Sequence, residues 1–342
     1  MFSMVLPESS RLQLTDDLSI CRVMNGMWQV SGAHGSIDAE AAVQSMFGYH
    51  QQGFTTWDLA DHYGPAEDFI GEFRRRLAES QGEDALQGMQ AFTKWVPRGG
   101  PMTLPIVREN VGLSLGRMGV EAIDLLQFHW WDYQDPAYLD ALVHLSQLRD
   151  EGLIKHVALT NFDTERLDRI SAHGVTVVSN QVQYSLIDRR PEIRMVPFCL
   201  DHHVQVLAYG TLCGGLLSEA YLGQPEPGRA ELNTASLGKY KQMVDAWGGW
   251  DLFQDLLRTL SSIGDKHSVS IANVAVRYVL DRPAVAGVIV GVRLGVSDRR
   301  DDNARVFGFS LDSQDHDLIE SVLARSQDLF RIIGDCGDEY RR

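Results

Sequence analysis

One rhythm constrains this chain more than any other feature. A short, nearly unbroken apolar run is followed by a polar loop and an amphipathic helical pattern, and the unit recurs about eight times. The apolar runs lie at 22–25, 55–59, 90–94, 124–129, 156–160, 177–182, 204–209 and 287–291. Runs such as Val204 to Tyr209 lack the apolar–polar alternation of a half-solvated strand, so they read as strands buried on both faces. Helical patterns fill the intervals at 38–52, 66–78, 104–118, 136–150, 164–172 and 191–202, then at 251–267 and 270–281. Asp38 stands at an N-cap position, and Phe69, Ile70, Phe73 and Leu77 fall at helical spacing. Proline opens several helices in the first turn, while Gly119, Gly152 and Gly174 sit where helices should stop. Strict alternation of β and α leaves a closed parallel barrel or a doubly wound open sheet. No G-x-G-x-x-G follows the first strand, which weakens the open-sheet reading. The expectation is one α/β domain over 1–342, a (β/α)8 barrel of the TIM type. A hairpin at about 11–21 plugs its N-terminal mouth, the barrel covers about 22–310, and a C-terminal helix and tail cover about 311–342. Between Ser218 and Trp250, prolines and glycines break the rhythm and predict a long loop after the seventh strand.

Charge and cysteine content narrow the function classes. With 46 acidic against 31 basic residues and a net charge of -15, the surface repels phosphate backbones, which excludes nucleic acid as a partner. The four cysteines, Cys21, Cys199, Cys213 and Cys336, are scattered without C-x-x-C spacing. That speaks against a disulfide framework or a zinc knuckle and fits a reducing compartment. No apolar run approaches the roughly 20 residues of a membrane span, and the N-terminal stretch lacks a basic region followed by an apolar core. A cytoplasmic protein without a membrane partner is expected; the oligomeric state stays open.

In such a barrel, reactive side chains sit at the C-terminal ends of the strands. The second strand ends in Asp58 and its loop holds His62-Tyr63-Gly64; the third ends in Lys94; the fourth ends in His129, followed by Trp130-Trp131. Asp58, Tyr63, Lys94 and His129 therefore converge on one mouth. Together they suit reduction of a carbonyl, whose developing alkoxide needs a proton. A free phenol, with a pKa near 10, is a poor partner at neutral pH unless a neighbouring ammonium lowers it. Lys94 supplies that charge, Asp58 holds Lys94 in place, and His129 can hydrogen-bond the carbonyl oxygen. The plain alternatives are a capping role for Asp58, a turn tyrosine at Tyr63 and a satisfied core histidine at His129. A buried lysine without a role is rare because desolvation is costly, so Lys94 is the most diagnostic of the four. His202-His203, at the end of a helix, reads as structural rather than metal-binding, and no metal site is expected. A metal-dependent hydrolase barrel would need a His-x-His set near the first strand's end, where this chain has Asn25-Gly26-Met27-Trp28.

The run from Gly53 to Gly64 (Gly-Phe-Thr-Thr-Trp-Asp-Leu-Ala-Asp-His-Tyr-Gly) resembles the signature of the aldo-keto reductases, with Asp58 and Tyr63 at its catalytic positions. Lys94 after Ala91-Phe92-Thr93 and His129 after Leu125-Leu126-Gln127-Phe128 match the family's lysine and histidine, and the resemblance runs from about Leu12 to about Leu323. It implies a nicotinamide cofactor. Thr160, Asn161 and Gln181 resemble the residues that hold the carboxamide, and Tyr209 the aromatic that stacks on the ring. Gly210, Thr211, Leu212, Gly214 and Leu216 would follow the pyrophosphate. Gly291, Arg293, Arg299 and Asn303 match the segment at the adenosine end. Many NADPH-preferring members carry Ser or Thr after the basic residue, where this chain has Leu294; Arg293 and Arg299 still offer two cationic forks. NADPH is therefore the expected cofactor, with NADH as the alternative. Arg300 reads as a solvated, locally paired charge. Trp28, Trp95 and Trp130, with Trp131 as a further candidate, are expected to line a pocket for a small carbonyl substrate. The leading expectation is an NADPH-dependent aldehyde or ketone reductase with Tyr63 as proton donor. A sugar or alcohol dehydrogenase running the reverse reaction, or a cofactor-binding regulatory subunit with slow turnover, are the competing readings.

Overall fold

A computed structural model describes residues 5–341; Met1 to Met4, the start of the N-terminal stretch, and Arg342, the end of the tail, lie outside the described residues. Strands β1 (Arg11–Thr15) and β2 (Leu18–Cys21) form the antiparallel hairpin. Eight parallel strands then close a barrel: β3 (Val23–Gly26), β4 (Thr56–Asp58), β5 (Gln90–Trp95), β6 (Ile123–Phe128), β7 (Ile154–Thr160), β8 (Ser179–Gln183), β9 (Gln205–Tyr209) and β10 (Val285–Gly291). Each pairs with its neighbour in sequence, and β10 closes on β3 with Val288 opposite Val23.

Helices follow the strands as the patterns require: α1 (Ala39–Gln52), α2 (Ala66–Gln81), α3 (Leu104–Met118), α4 (Ala137–Asp150), α5 (Thr164–Ala172) and α6 (Met195–Asp201). Asp38 caps α1 by accepting from the Ala41 amide, and Gly53 ends it in the left-handed region at φ 104°. The strand period sorts side chains into two layers. Leu14, Leu18 and Ile20 of the hairpin join Met24, Phe92, Leu125, Ala158 and Leu207 in one buried cluster inside the barrel. The hairpin thus plugs the N-terminal mouth. The alternate residues of each strand face the helices.

Two expectations change. The stretch 191–202 is not one helix: a 3-10 turn at Arg190–Glu192 precedes α6, because Arg190 is drawn into a buried ion pair with Asp188. The long excursion after β9 is irregular over 222–234, as expected, and helical in its second half. It contains α7 (Ala235–Trp247), capped by Thr234, and runs on into α8 (Gly249–His267). Tyr240, Met243, Val244 and Trp247 of α7 are buried at helical spacing. Then come α9 (Ile271–Leu280), α10 (Arg300–Ala304), α11 (Ser313–Leu323) and α12 (Leu329–Ile333). After α12 the tail turns back over the C-terminal mouth. No helix among the described residues is long and apolar enough to cross a membrane, and all four cysteines are buried and unbridged.

Candidate active site

Alternation along three consecutive strands delivers the polar groups to the lumen. Thr56 and Asp58 of β4, Phe92 and Lys94 of β5, and Leu125 and Gln127 of β6 point inward, with His129 just past the strand end. Lys94 Nζ donates to Asp58 Oδ2 at 2.6 Å and to the Leu59 carbonyl at 2.8 Å, and both side chains are only 4% exposed. The second carboxylate oxygen is also satisfied: Gln127 Nε2 donates to Asp58 Oδ1 at 2.9 Å and Gln181 Nε2 at 2.7 Å. Three side-chain donors, one of them the Lys94 ammonium, thus satisfy both oxygens of the buried carboxylate and fix it in place. Gln127 was not singled out from the sequence, although its place two residues before His129 puts it on the same inward face.

Tyr63 packs above this pair. The Lys94 ammonium lies 5.0 Å from its ring centroid, and the Trp28 ring packs edge-on at 5.0 Å. His129 Nδ1 lies 3.1 Å from the Thr160 carbonyl oxygen. That oxygen can only accept, so Nδ1 carries the proton of the neutral ring. Nε2 is then an acceptor, and it is buried without a partner. In this arrangement the neutral imidazole presents an acceptor at Nε2.

Burial sets the protonation states. It pushes the Tyr63 phenol well above its ordinary value, and the charges of Asp58 and Asp61 push the same way. Tyr63 therefore holds its proton. Burial also pulls Lys94 below the usual lysine range, against the opposing pull of Asp58. His129 falls to about 4, again chiefly through burial, with the Thr160 hydrogen bond resisting and Arg341 and His62 adding to the drop.

Two of the expected pocket tryptophans face elsewhere. Trp95 follows an inward Lys94 and so points outward, with its ring 5.3 Å from Phe128. Trp130 follows His129 and does the same: it is 1% exposed, and its Nε1 donates to the carbonyls of Asp132 at 2.7 Å and Asp135 at 2.9 Å. Trp131 takes the mouth position instead, 46% exposed and 4.4 Å from the His129 ring. Trp28 remains at the mouth.

The expected cofactor residues form an arc from β7 to α10. Asn161, with φ 60°, accepts at Oδ1 from the Tyr209 hydroxyl at 2.8 Å. Thr160 Oγ1 donates to the Gln181 carbonyl at 3.2 Å. Gln181 differs from expectation, because its side-chain donor is directed at Asp58 and at Gln127 Oε1 rather than toward the mouth. Past β9, Gly210, Gly214 and Gly215 have φ of 72°, 68° and 105°, which lets the loop wind tightly. The Thr211 hydroxyl turns inward to the Tyr184 carbonyl, and Leu216 is fully buried. The amides of Cys213, Gly215, Leu216 and Leu217 donate within the loop, to Gly210, Leu212, Cys213 and Leu212. At the far end, Gly291 closes β10, Asn303 lies in α10, and Leu294 is buried. Arg293 and Arg299 are exposed and have no carboxylate partner among the described residues. Neighbouring Arg300, by contrast, pairs with Asp298 at 2.5 Å. Two unpaired cations on a chain of net charge -15 form a donor set suited to phosphate. Elsewhere, His202 stacks on Phe198 at 3.9 Å, and no cluster of metal-ligating side chains occurs among the described residues.

Comparison with known proteins follows this geometry. The aldo/keto reductase family model matches residues 22–324, so the chain belongs to the aldo-keto reductase family, whose members are NAD(P)H-dependent oxidoreductases acting on carbonyls and alcohols. The chain is 27% identical over 257 residues to flagellar radial spoke protein 5 of Chlamydomonas reinhardtii, with 65% of this chain covered; the match spans 49%, about half, of that longer protein. It is 21% identical to the NADH-specific methylglyoxal reductase of Escherichia coli, over 90% of this chain and 96% of that one. A glycerol dehydrogenase structure from Gluconobacter oxydans superposes with a TM-score of 0.76 at 25% identity, covering 93% and 96% of the two chains.

Proposed function

We propose that the protein reduces small aldehydes or ketones to alcohols with NADPH, and that Tyr63 is the proton donor. A bound nicotinamide supplies the hydride. The remaining work falls to the chain's own groups. Tyr63 carries its proton at neutral pH and gives it to the carbonyl oxygen as negative charge develops there. The phenolate left behind lies beside the Lys94 ammonium, which Asp58 keeps charged in a dry lumen. Gln127 and Gln181 hold Asp58 in place through its second oxygen. The buried Lys94–Asp58 pair directly beneath Tyr63 is the observation that carries this reading.

Asn161 and Thr160 fit the carboxamide of the cofactor and Tyr209 its ring. The pyrophosphate would lie along 210–216, where Gly210, Thr211, Leu212 and Gly214 are the amides not used in closing the loop. Arg293 and Arg299, with Asn303 beside them, support a 2′-phosphate and hence NADPH over the NADH that the Escherichia coli relative uses. Trp28 and Trp131 border the substrate. A cytoplasmic setting belongs to the same reading and is supported by the four unbridged cysteines.

His129 favours a second reading, oxidation of an alcohol in the reverse direction. Its acceptor Nε2 suits a substrate hydroxyl, and the Gluconobacter neighbour is a glycerol dehydrogenase. Purified protein assayed against a panel of carbonyls and of alcohols, each with NADPH/NADP and NADH/NAD, decides between them. Turnover of carbonyls with NADPH supports the main reading. Turnover confined to alcohols favours the reverse one, and cofactor binding without turnover on any substrate contradicts both.

A further inference from the structure

The C-terminal tail reaches the centre of the site. Beyond Gly334, with φ 112°, it runs over the mouth and is held at several points. Arg190, 2% exposed, donates to the Asp335 carbonyl at 3.1 Å and to Glu339 Oε2 at 3.0 Å. Asp335 Oδ2 accepts from the Thr164 amide at 3.0 Å. Gly337 lies so close to Asn161 that a Cβ there would stand 2.1 Å from the Asn161 carbonyl oxygen. Arg341 donates to the Trp130 carbonyl at 2.8 Å and stacks on Tyr133.

These anchors set Tyr340 between Tyr209 and His129. Its hydroxyl lies 3.0 Å from the Tyr209 hydroxyl, and its ring centroid is 6.2 Å from that of His129. Lys239 of α7 donates to the Tyr340 oxygen at 2.5 Å. An ammonium can only donate and an amide oxygen only accept, so with one proton on each phenol the chain of hydrogen bonds has one direction: Lys239 to Tyr340, Tyr340 to Tyr209, Tyr209 to Asn161 Oδ1. It ends on an oxygen that the cofactor reading assigns to the nicotinamide carboxamide. Tyr340 thus lies against both Tyr209, on which the cofactor reading stacks the nicotinamide, and His129.

We propose that Tyr340 is an affinity-setting residue of the site: the segment Asp335 to Arg341 covers the nicotinamide subsite, and ligand binding displaces it. The inference rests on the cofactor reading above. The tail itself, through Asp335, Tyr340 and Arg341, lines an open groove of about 730 Å³ that it shares with Trp131, Tyr133 and Arg166, which leaves it room to shift. The positive φ of Gly334 and Gly337, 112° and 86°, places permissive backbone at both ends of its first turn. A cover raises the apparent Kd in inverse proportion to the fraction of molecules that are open, so a tail open one-tenth of the time weakens binding about tenfold.

The test compares the full-length protein with Tyr340→Ala and Tyr340→Phe, measuring NADPH and NADH Kd by titration calorimetry. Hydrogen exchange of 335–341 in the unsubstituted protein is followed with and without nucleotide. The expected results are a Kd about tenfold lower for Tyr340→Ala, a smaller gain for Tyr340→Phe, and faster tail exchange when nucleotide is bound. An unchanged or higher Kd in Tyr340→Ala, or slower tail exchange with nucleotide, overturns the proposal. Should Tyr340→Ala not fold, Tyr340→Phe and the exchange measurement decide. If no form of the protein binds either nucleotide, the cofactor reading itself falls and takes this proposal with it.

Discussion

Consider the effect of acid on a chain in which His129 is replaced by Gln. His129 is 2% exposed, and burial holds its pKa at about 4 against the ordinary 6.5. Between those two values the unfolded chain binds a proton that the folded chain refuses. The stability that the neutral ring preserves is therefore fully present above about pH 6.5 and is lost as pH falls toward about 4. At about 1.4 kcal/mol per tenfold change in proton affinity, the loss over that window is roughly 3 kcal/mol. In His129→Gln the amide can still donate to the Thr160 carbonyl, but nothing titrates. Other groups, such as His34 and His50, whose pKa values burial also lowers, are common to both proteins and cancel. Urea unfolding of both proteins at steps from about pH 7 to about pH 4.5 gives the comparison. Because the measured range stops at about pH 4.5, the stability advantage of the unsubstituted protein should shrink by roughly 2.5 kcal/mol across it. A difference that stays constant with pH refutes the reasoning, because His129 would then have to be solvated or already protonated in the folded state.

Three further outcomes follow from the lumen and the cofactor arc. Lys94→Met strands the Asp58 carboxylate in the barrel and should cost about 3–5 kcal/mol in urea unfolding, most of it recovered when Asp58→Asn is added; equal losses in the single and double variants would contradict the pairing. Gln127→Leu removes one of two donors from Asp58 Oδ1. It should cost about 1–3 kcal/mol of stability and lower turnover while leaving the NADPH Kd nearly unchanged; turnover equal to that of the unsubstituted protein limits Gln127 to packing. Arg293→Ala should raise the Kd for NADPH about tenfold or more while leaving NADH nearly unchanged; equal losses for the two nucleotides would remove the 2′-phosphate contact.

The barrel was legible because its strands are buried on both faces and its helices carry ordinary caps. The runs ending in Asp58, Lys94 and His129 placed those side chains on three adjacent strand ends without further information. The same periodicity, followed one residue further, also determines that Trp95 and Trp130 must face the helices; the misassignment came from reading them as wall residues by type rather than by parity. Helix α7 carries Tyr240, Met243, Val244 and Trp247 at helical spacing, but the prolines and glycines on both sides masked it. Gln181 is assigned to the carboxamide by resemblance to the family alone. Only the coordinates show that Asp58, reached through the barrel from β4, claims its amide. Tyr340 lay beyond local reasoning altogether. Its contacts with Tyr209, Lys239 and His129 join positions 131, 101 and 211 residues apart, and no nearby pattern marks them.

The kinetics of Tyr63→Phe bear most directly on the assignment of chemistry. The substitution keeps the ring against Trp28 and Lys94 and removes only the hydroxyl. Carbonyl turnover under saturating NADPH should fall by about three orders of magnitude, roughly 4 kcal/mol of barrier, with the NADPH Kd changed by less than about twofold. Near-normal turnover in that variant would show that the proton comes from another group and that the buried Lys94–Asp58 pair serves the fold rather than the reaction.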